Sequence, residues 1–563
     1  PGRPPVTLTP VEAALLAAAD GRPARELVAD PAAGLRRPED GYALLDRLVE
    51  RELVSWDGAL PVSPDAERVL TERIDAIGDE PVRTAARAGL DRLVAARDAV
   101  AAAAGDPWRL RTALDTLDAT FTELTGQAAQ RREGQMYAGR TLCYEDTSRD
   151  LDVTFGRPLL DGIAAPLDVL LRAARWLVGA LEEAYTAVFR ELYDDLRAGD
   201  APVSLADLWF LAQGLFWGDG ERPVDRIAAE FAARWAGLFG LATLPDGVTE
   251  VTIAVADLAD RVDAAFPSPG PSDWPLARLH SPDLQICATD SAALGRGDYT
   301  VVLGELHAAW ASFDTAPLVS GHPDGERLRA ALAADVGGRR LRLLYPADWP
   351  RRTSRVAEAL AAPTDRQLAF HPAPGADPAR VLPTVDLVVT ADGDRLVATG
   401  PGGQRWSLTE VFAELLSAHA VDGFKLVAAA PYTPRITLDR LVVARRTWRT
   451  TAGESGLGPA TGERHRFLAV RRWRARLGLP EQVYVKLGSE TKPCFVDLTS
   501  PAYANMLCAM VRSATMTHGE GVPLVVGEML PGPGDAWVPD AAGRRYLSEL
   551  RLHIVDTTGE PRR

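Results

Sequence analysis

Thr9-Pro10-Val11-Glu12-Ala13-Ala14-Leu15-Leu16 opens the most legible stretch of the chain. A threonine ahead of a proline, with a carboxylate in the first turn, is an N-cap followed by a first-turn proline. It predicts a helix that stops at Asp20-Gly21. A second short helix is predicted at Ala24–Ala29. A third is predicted from about Pro38 to Leu53, where Tyr42, Leu44, Leu45, Leu48 and Val49 recur at helical spacing. Leu53-Val54-Ser55-Trp56 and Ala59-Leu60-Pro61-Val62 then flank Asp57-Gly58, a turn dipeptide between apolar residues that signals a hairpin. Three short helices and a two-stranded wing make a winged helix-turn-helix over residues 1–65.

The third helix of such a module can enter a DNA groove. Here it carries Glu39, Asp40, Asp46, Glu50 and Glu52 against Arg47 and Arg51, and an acidic helix repels phosphate. No DNA partner is expected. The wing offers unpaired backbone groups to an added strand, so peptide docking is the reading taken, with a purely structural wing as the alternative. Leu45, Val49, Leu53, Val54 and Trp56 are the candidate peptide contacts.

Farther out, the 563 residues hold 62 Lys plus Arg against 77 Asp plus Glu, a net charge of -15. Any nucleic-acid role must therefore come from a local patch. Apolar residues make up 47%, enough for a folded core. Cys143, Cys287, Cys494 and Cys508 lie far apart, so neither a disulfide framework nor a zinc ribbon is indicated. The most apolar stretch, near 164–187, is broken by Asp168, Arg172, Arg175, Glu182 and Glu183, and no membrane partner is expected. With no signal-peptide pattern, the cytoplasm is the expected location.

Residues 66–265 read as helix-rich, with long helices near 165–198, 204–217 and 222–238. Residues 266–383 read as α/β with irregular linkers at 266–282 and 371–383 and a strand at Tyr299–Leu303. From 384 to 563 the pattern is α+β. A hairpin at Asp386–Thr399 turns at Asp392-Gly393-Asp394, and a helix follows at 408–418. Strands are expected near 441–448, 482–487, 494–498, 523–528 and 547–555, and helices at 463–477 and 501–513. The fold class is α+β and multidomain: a winged helix-turn-helix, a helix-rich region and a mixed α/β C-terminal region.

No phosphate-loop, HExxH, GxSxG or strand-linked GxGxxG motif occurs, and Gly456-Leu-Gly458-Pro-Ala-Thr-Gly462 has the wrong spacing for a phosphate loop. The histidines are scattered, so no metal site is expected. Three constellations remain. Arg140–Tyr144 alternates like a strand and ends in a charged turn with Glu145, Asp146, Arg149, Asp150 and Asp152, which could hold a cation, poise a base or be a solvated turn. Gly304-Glu305-Leu306-His307 puts a carboxylate and an imidazole on one side of a strand end, either as a reactive pair or as a satisfied structural histidine. The third runs from Arg435 to Arg476. Its arginines are Arg435, Arg440, Arg445, Arg446, Arg449, Arg464, Arg466, Arg471, Arg472, Arg474 and Arg476, against only Asp439, Glu454 and Glu463. Trp448 and Trp473 are interleaved and could offer flat faces for stacking, so a phosphate-rich partner is expected there.

In this order the features are similar to those of the glutamylation domain of class I lanthipeptide dehydratases, the nisin dehydratase family. The resemblance rests on the winged helix, Gly139-Arg140-Thr-Leu-Cys-Tyr-Glu-Asp146, Val-Val-Leu-Gly304-Glu-Leu-His307, and Pro434-Arg435-Ile436 leading to Trp448. It continues through Leu479-Pro480, Val483-Tyr-Val-Lys and Phe495-Val-Asp497-Leu. It implies transfer of glutamate from glutamyl-tRNA to Ser or Thr side chains of a precursor peptide, before elimination leaves a dehydroamino acid. It also implies leader-peptide recognition at the winged helix, through Leu45, Val49, Leu53, Val54 and Trp56. Arg445, Arg446, Arg449, Arg464, Arg466, Arg471, Arg472 and Arg474 would face tRNA. Asp146, Glu145, Arg140, Arg149, Glu305, His307 and Arg435 are the catalytic candidates.

Family members carry an arginine-bearing stretch ahead of the winged helix and an elimination part after the last strands, whereas this chain opens at the winged helix. The expectation is a split or small stand-alone form with a separate elimination protein, and a homodimer as the family allows. No bound cofactor is expected, with glutamyl-tRNA or another aminoacyl-tRNA as co-substrate. Two rival readings remain: aminoacyl-tRNA- and ATP-dependent extension of a peptide C-terminus, and a non-catalytic leader-binding scaffold.

Overall fold

Thr9 caps the first helix, α1 (Pro10–Ala18), through a reciprocal box. Glu12 N–H donates to Thr9 Oγ1 at 3.3 Å, and Thr9 N–H donates to Glu12 Oε2 at 2.7 Å. The computed structural model describes residues 6–19, 22–35, 37–51, 53–54, 60, 63, 66–130, 141–197, 202–218, 220–245, 247–345, 358–370, 376–377, 379–490 and 492–557. Helices α2 (Ala24–Ala29) and α3 (Pro38–Glu50) close the N-terminal module around Leu15, Leu27, Val28, Leu44, Leu45 and Leu48. Helix α3 stops short of Leu53 because the chain turns back over it, with the N–H groups of Leu53 and Val54 both directed at Leu48 O. The expected wing tip, with Ser55, Trp56, Asp57, Gly58 and Ala59, lies outside the described residues.

The chain forms two compact units that interleave along the sequence. Unit 1 holds Pro1–Thr147, Thr186–Gly214 and Asp314–Val411. Beyond the N-terminal module it contains a pair of packed helices, Glu80–Ala102 and Pro107–Thr125. A parallel three-stranded sheet is formed by Leu341–Leu344, Arg366–Ala369 and Val381–Pro383. At its edge Arg340 joins buried Asp365 at 2.8 Å and Arg342 joins buried Asp314 at 2.6 Å. The hairpin Val388–Asp392 and Arg395–Thr399 turns as expected at Gly393, whose φ of 62° suits glycine.

Unit 2 holds Ser148–Tyr185, Leu215–Phe313 and Phe412–Arg563. A long helix, α4 (Arg157–Leu196), contributes its residues up to 185 to this unit. It begins earlier than expected, because Pro166 resembles a first-turn proline yet sits inside the helix, where Leu159, Ile163, Leu167 and Leu170 are buried. With α5 (Pro223–Phe239) and α6 (Ala413–Gly423) it supplies an aromatic core that includes Trp176, Phe231, Trp235 and Phe266.

The strands of unit 2 are β1 (Glu250–Ile253), β2 (Leu279–Cys287), β3 (Thr300–Ala308), β4 (Arg435–Leu438) and β5 (Leu441–Ala444). They continue with β6 (Thr447–Thr451), β7 (Gln482–Leu487), β8 (Cys494–Asp497), β9 (Pro523–Glu528) and β10 (Glu549–Arg551). A seven-stranded sheet runs β1-β4-β5-β3-β2-β10, with Ile554–Val555 also pairing to β2. A five-stranded sheet runs Tyr432–Thr433, β6, β9, β7 and β8, and helices α7 (Glu463–Leu477) and α8 (Pro501–His518) complete that layer.

The single strand expected at 441–448 is two. The chain leaves one sheet and enters the other at Arg445-Arg446. Strand β2, in turn, begins within a stretch expected to be a linker. The expected linker at 371–383 ends in the strand Val381–Pro383, and residues 371–375 and 378 lie outside the described residues.

Candidate active site

Helix α6 packs on one face of the seven-stranded sheet. The other face carries polar side chains, and a bulge sets their arrangement. Leu303 pairs with Leu284 and Leu306 with Pro282, so Gly304 and Glu305 together oppose the single residue Asp283. A Cβ on Gly304 would lie 3.3 Å from the Asp283 carbonyl oxygen, tighter than side chains usually allow, which is why glycine stands there.

From that bulge a continuous polar chain crosses β3, β2 and β10. His307 Nε2 lies 3.3 Å from Glu305 Oε2, and its Nδ1 lies 3.2 Å from Ser281 O and 3.8 Å from Asp283 Oδ2. Asp283 meets Arg551 at 3.5 Å, Arg551 meets Glu549 at 3.3 Å, and Gln285 donates to Glu549 at 3.1 Å. Arg445 donates to Gln285 and, at 2.7 Å, to Leu530 O.

Burial pushes the Asp283 carboxyl up, and only partly do Arg551 and His307 offset it. Burial works against the charged form of His307. The Glu305 hydrogen bond and Asp283 together outweigh it and hold the imidazolium above its ordinary range. Glu305, bonded to His307, is held below the usual carboxylate range. Glu305 is 66% exposed and His307 15%, so the pair opens to solvent on the carboxylate side. The arrangement can hold and move a proton at the His307 ring.

Farther along, Arg435 grips the buried Glu528, which also accepts from the Arg446 N–H at 2.9 Å. Beside them a concavity of about 460 Å³ is lined by Glu250, Thr252, Cys287, Arg435, Arg440 and Asp535, among others. Burial raises the Cys287 thiol to about 12, so it is inert as a nucleophile.

The expected functional residues lie in different settings. Arg435 pairs with Glu528 and also lines the concavity. Arg445 is enclosed and spent on Leu530 and Gln285, and Arg446 lies over Trp448. Arg449 donates to Ala430 O and Thr433, Arg466 to Ala460 O, and Arg474 to Leu479 O and Glu481. Arg464, Arg471 and Arg472 are exposed on α7. Trp448 and Trp473 sit in the hydrophobic core and offer no face for stacking.

Leu45 is likewise core, Leu53 and Val54 are half-buried against it, and Val49 is half-buried. Trp56 and Arg140 lie outside the described residues, and the residues from Thr141 to Tyr144 form no strand. Glu145 and Asp146 are exposed at the end of a unit 1 segment. In unit 2, Asp150 and Asp152 are exposed and Arg149 stacks 3.3 Å above the Tyr546 ring. Asp283, Arg551, Glu549 and Glu528 carry no motif and are recognisable only once the strands are paired.

Among the described residues no three His, Cys, Asp or Glu side chains are grouped to hold a metal. Among them, too, no helix is long and apolar enough to cross a membrane.

The family model described as "Lantibiotic dehydratase, N terminus" matches residues 7–423 and 412–507. The chain belongs to the lantibiotic dehydratase N-terminus family. The resemblance drawn from its motifs is thereby met. Among solved structures, this chain is similar to the tRNA dependent lantibiotic dehydratase MibB from Microbispora sp. 107891, at 18% identity and a TM-score of 0.63. That likeness covers 94% of this chain and 52% of MibB. It is also similar to the glutamylation domain TbtB from thiomuracin biosynthesis, at 18% identity and a TM-score of 0.53, over 97% of this chain and 66% of that one. A second TbtB structure, bound to 5'-phosphodesmethylglutamycin, matches at 19% identity with the same TM-score and coverage. These identities speak for a shared mixed α+β fold. The chain spans about half the length of MibB. A comparison with curated proteins found no match.

Proposed function

We propose that this chain performs the acyl-transfer half of peptide dehydration, moving glutamate from glutamyl-tRNA to Ser or Thr hydroxyls of a ribosomally made precursor peptide. The family match over most of the chain carries this reading, and the likeness to a tRNA dependent dehydratase and to a glutamylation domain supports it.

The tRNA ester is already activated, so the protein needs positioning, a proton carrier and charge stabilisation. The peptide hydroxyl oxygen forms a new ester bond to the glutamyl carbonyl carbon, and the bond to the RNA ribose oxygen breaks. The hydroxyl proton leaves with a base, and the ribose oxygen gains one. In this reading the His307–Glu305 pair manages the proton, because Glu305 holds the imidazolium ready to donate. Alternatively, Asp146 or Glu145 orients or deprotonates the hydroxyl, or binds the glutamyl ammonium. Exposed Arg464, Arg471 and Arg472 meet the RNA backbone. Residues 1–65 take the leader.

The test is to incubate the full chain with precursor peptide and glutamyl-tRNA, with and without ATP, and to weigh the peptide. Glutamyl adducts on Ser or Thr without ATP are expected. Mass gain only with ATP, or none with charged tRNA, overturns the reading.

A further inference from the structure

Strand β6, helix α7, strands β7 and β8, helix α8 and strand β9 follow one another as β-α-β-β-α-β. The two helices cover one face of the resulting sheet, where Trp448, Val483, Val485, Val496, Leu524 and Val526 are buried. Strand periodicity sends the alternate residues to the opposite face. Register lines them into two rows. Thr447, Gly527, Tyr484 and Phe495 stand side by side across four strands. Arg449, Val525 and Lys486 form the next row.

Tyr484 is 37% exposed, and its ring meets Phe495 edge-on at 6.4 Å and 71°. Phe495 in turn meets Tyr503 at 5.4 Å and 88°. Aromatic rings packed edge to face keep a flat side available. Beside Tyr484 the floor is open, because a Cβ on Gly527 would meet nothing within 4 Å. Among the described residues the cations of the second row have no counter-ion on this face. Arg449 donates to the Ala430 carbonyl and the Thr433 hydroxyl, and Lys486 is exposed. Asp497, at the far end opposite Gln482, is occupied by the N–H and hydroxyl of Thr499.

From this juxtaposition we infer that the open face of the five-stranded sheet takes an unpaired RNA segment, with a base stacked on the exposed Tyr484 ring, which Phe495 buttresses edge-on, and its phosphates beside Arg449 and Lys486. Flat rings next to unneutralised cations, in a chain of net charge -15, are complementary to a ligand that is both aromatic and anionic. The inference rests on the reading that RNA is the co-substrate, and it assigns the unpaired part of that RNA to a surface separate from the arginines of α7.

The experiment uses the full chain with two probes: a fluorescent single-stranded RNA octamer and whole tRNA. Tyr484→Ala and Phe495→Ala are each expected to weaken octamer binding about tenfold. Tyr484→Phe keeps the ring and is expected to bind as the native chain does. Lys486→Gln should weaken binding and flatten its salt dependence. Octamer affinity unchanged in Tyr484→Ala, with unfolding temperature also unchanged, overturns the platform, as does failure of the native chain to bind the octamer. Whole tRNA decides the other question. If it binds but ignores Tyr484, only the platform falls; if it does not bind at all, the RNA co-substrate reading falls.

Discussion

Arg435 holds Glu528 through two parallel hydrogen bonds, 2.9 Å from Nε to Oε1 and 2.7 Å from Nη2 to Oε2. The pair ties β4 of the seven-stranded sheet to β9 of the five-stranded one, next to the point where Arg445-Arg446 crosses between them. A paired, largely enclosed carboxylate has given up its hydration, and removing it leaves the Arg435 guanidinium only the looser, half-exposed Glu250 at 3.7 Å. Glu528→Ala is expected to destabilise the fold by about 3 kcal/mol, and Glu528→Gln by less. Urea unfolding checks both, and a loss within experimental error for Glu528→Ala would show the clamp to be ornamental.

His307 and Glu305 titrate against each other. The folded His307 value is raised, so its share of stability is fully present below the ordinary histidine range and fades as pH climbs through the raised value. The folded Glu305 value is depressed, so its share is present above the ordinary glutamate range and is lost as pH falls through the depressed value. The pair therefore contributes most in mildly acidic solution. Glu305→Gln should bring the His307 ring titration down, which ring-proton NMR would follow; no movement would refute the coupling.

His419 stacks on Phe216 at 5.3 Å and on Tyr185 at 5.9 Å, and burial lowers its pKa to about 4. A base that is neutral when folded costs stability as pH drops from the ordinary histidine value toward about 4, because only the unfolded chain binds the proton. His419→Phe keeps the ring stack and should flatten the unfolding temperature over that interval. An unaltered pH profile would assign the acid sensitivity elsewhere, with buried His280 as the next group to test.

Arg471 and Arg472 stand exposed on α7. Reversing both to Glu should weaken tRNA binding and reduce the slope of log affinity against log salt by about one for each phosphate no longer neutralised. Titrations at several salt concentrations measure this, and an unchanged slope would remove that helix from the RNA surface.

Asp146→Ala is expected to lower glutamyl transfer by about 10²–10⁴-fold while leader-peptide affinity stays as it was. Parallel transfer and peptide-binding assays distinguish loss of chemistry from loss of docking. Full transfer by the variant would take Asp146 out of the mechanism.

Much of the secondary structure could be read from residue patterns. The Thr9–Glu12 cap and the Gly393 turn announce themselves locally, and α7 and β7 fall at their expected bounds because capping and alternation act over a few residues. Strand β2 did not, since His280-Ser281-Pro282-Asp283 looks like a loop and Pro282 is tolerated only because it borders the bulge. The arginine-rich segment misled in a different way. Counting charges shows how many guanidinium groups a stretch holds, but not which ones are spent on Leu530, Glu528 or Ala460. Trp448 and Trp473 followed the same logic in reverse: polar neighbours in sequence suggested exposure, whereas strand and helix periodicity turned both inward. Glu305 and His307 were visible as a pair, but their partner Asp283 comes from another strand.

The bulge at Gly304-Glu305 has a practical corollary for engineering. Because one extra residue there aims the carboxylate and imidazole, inserting or deleting a single amino acid upstream in that strand would rotate both groups toward the greasy helix side. Libraries built on this chain should therefore keep that spacing intact.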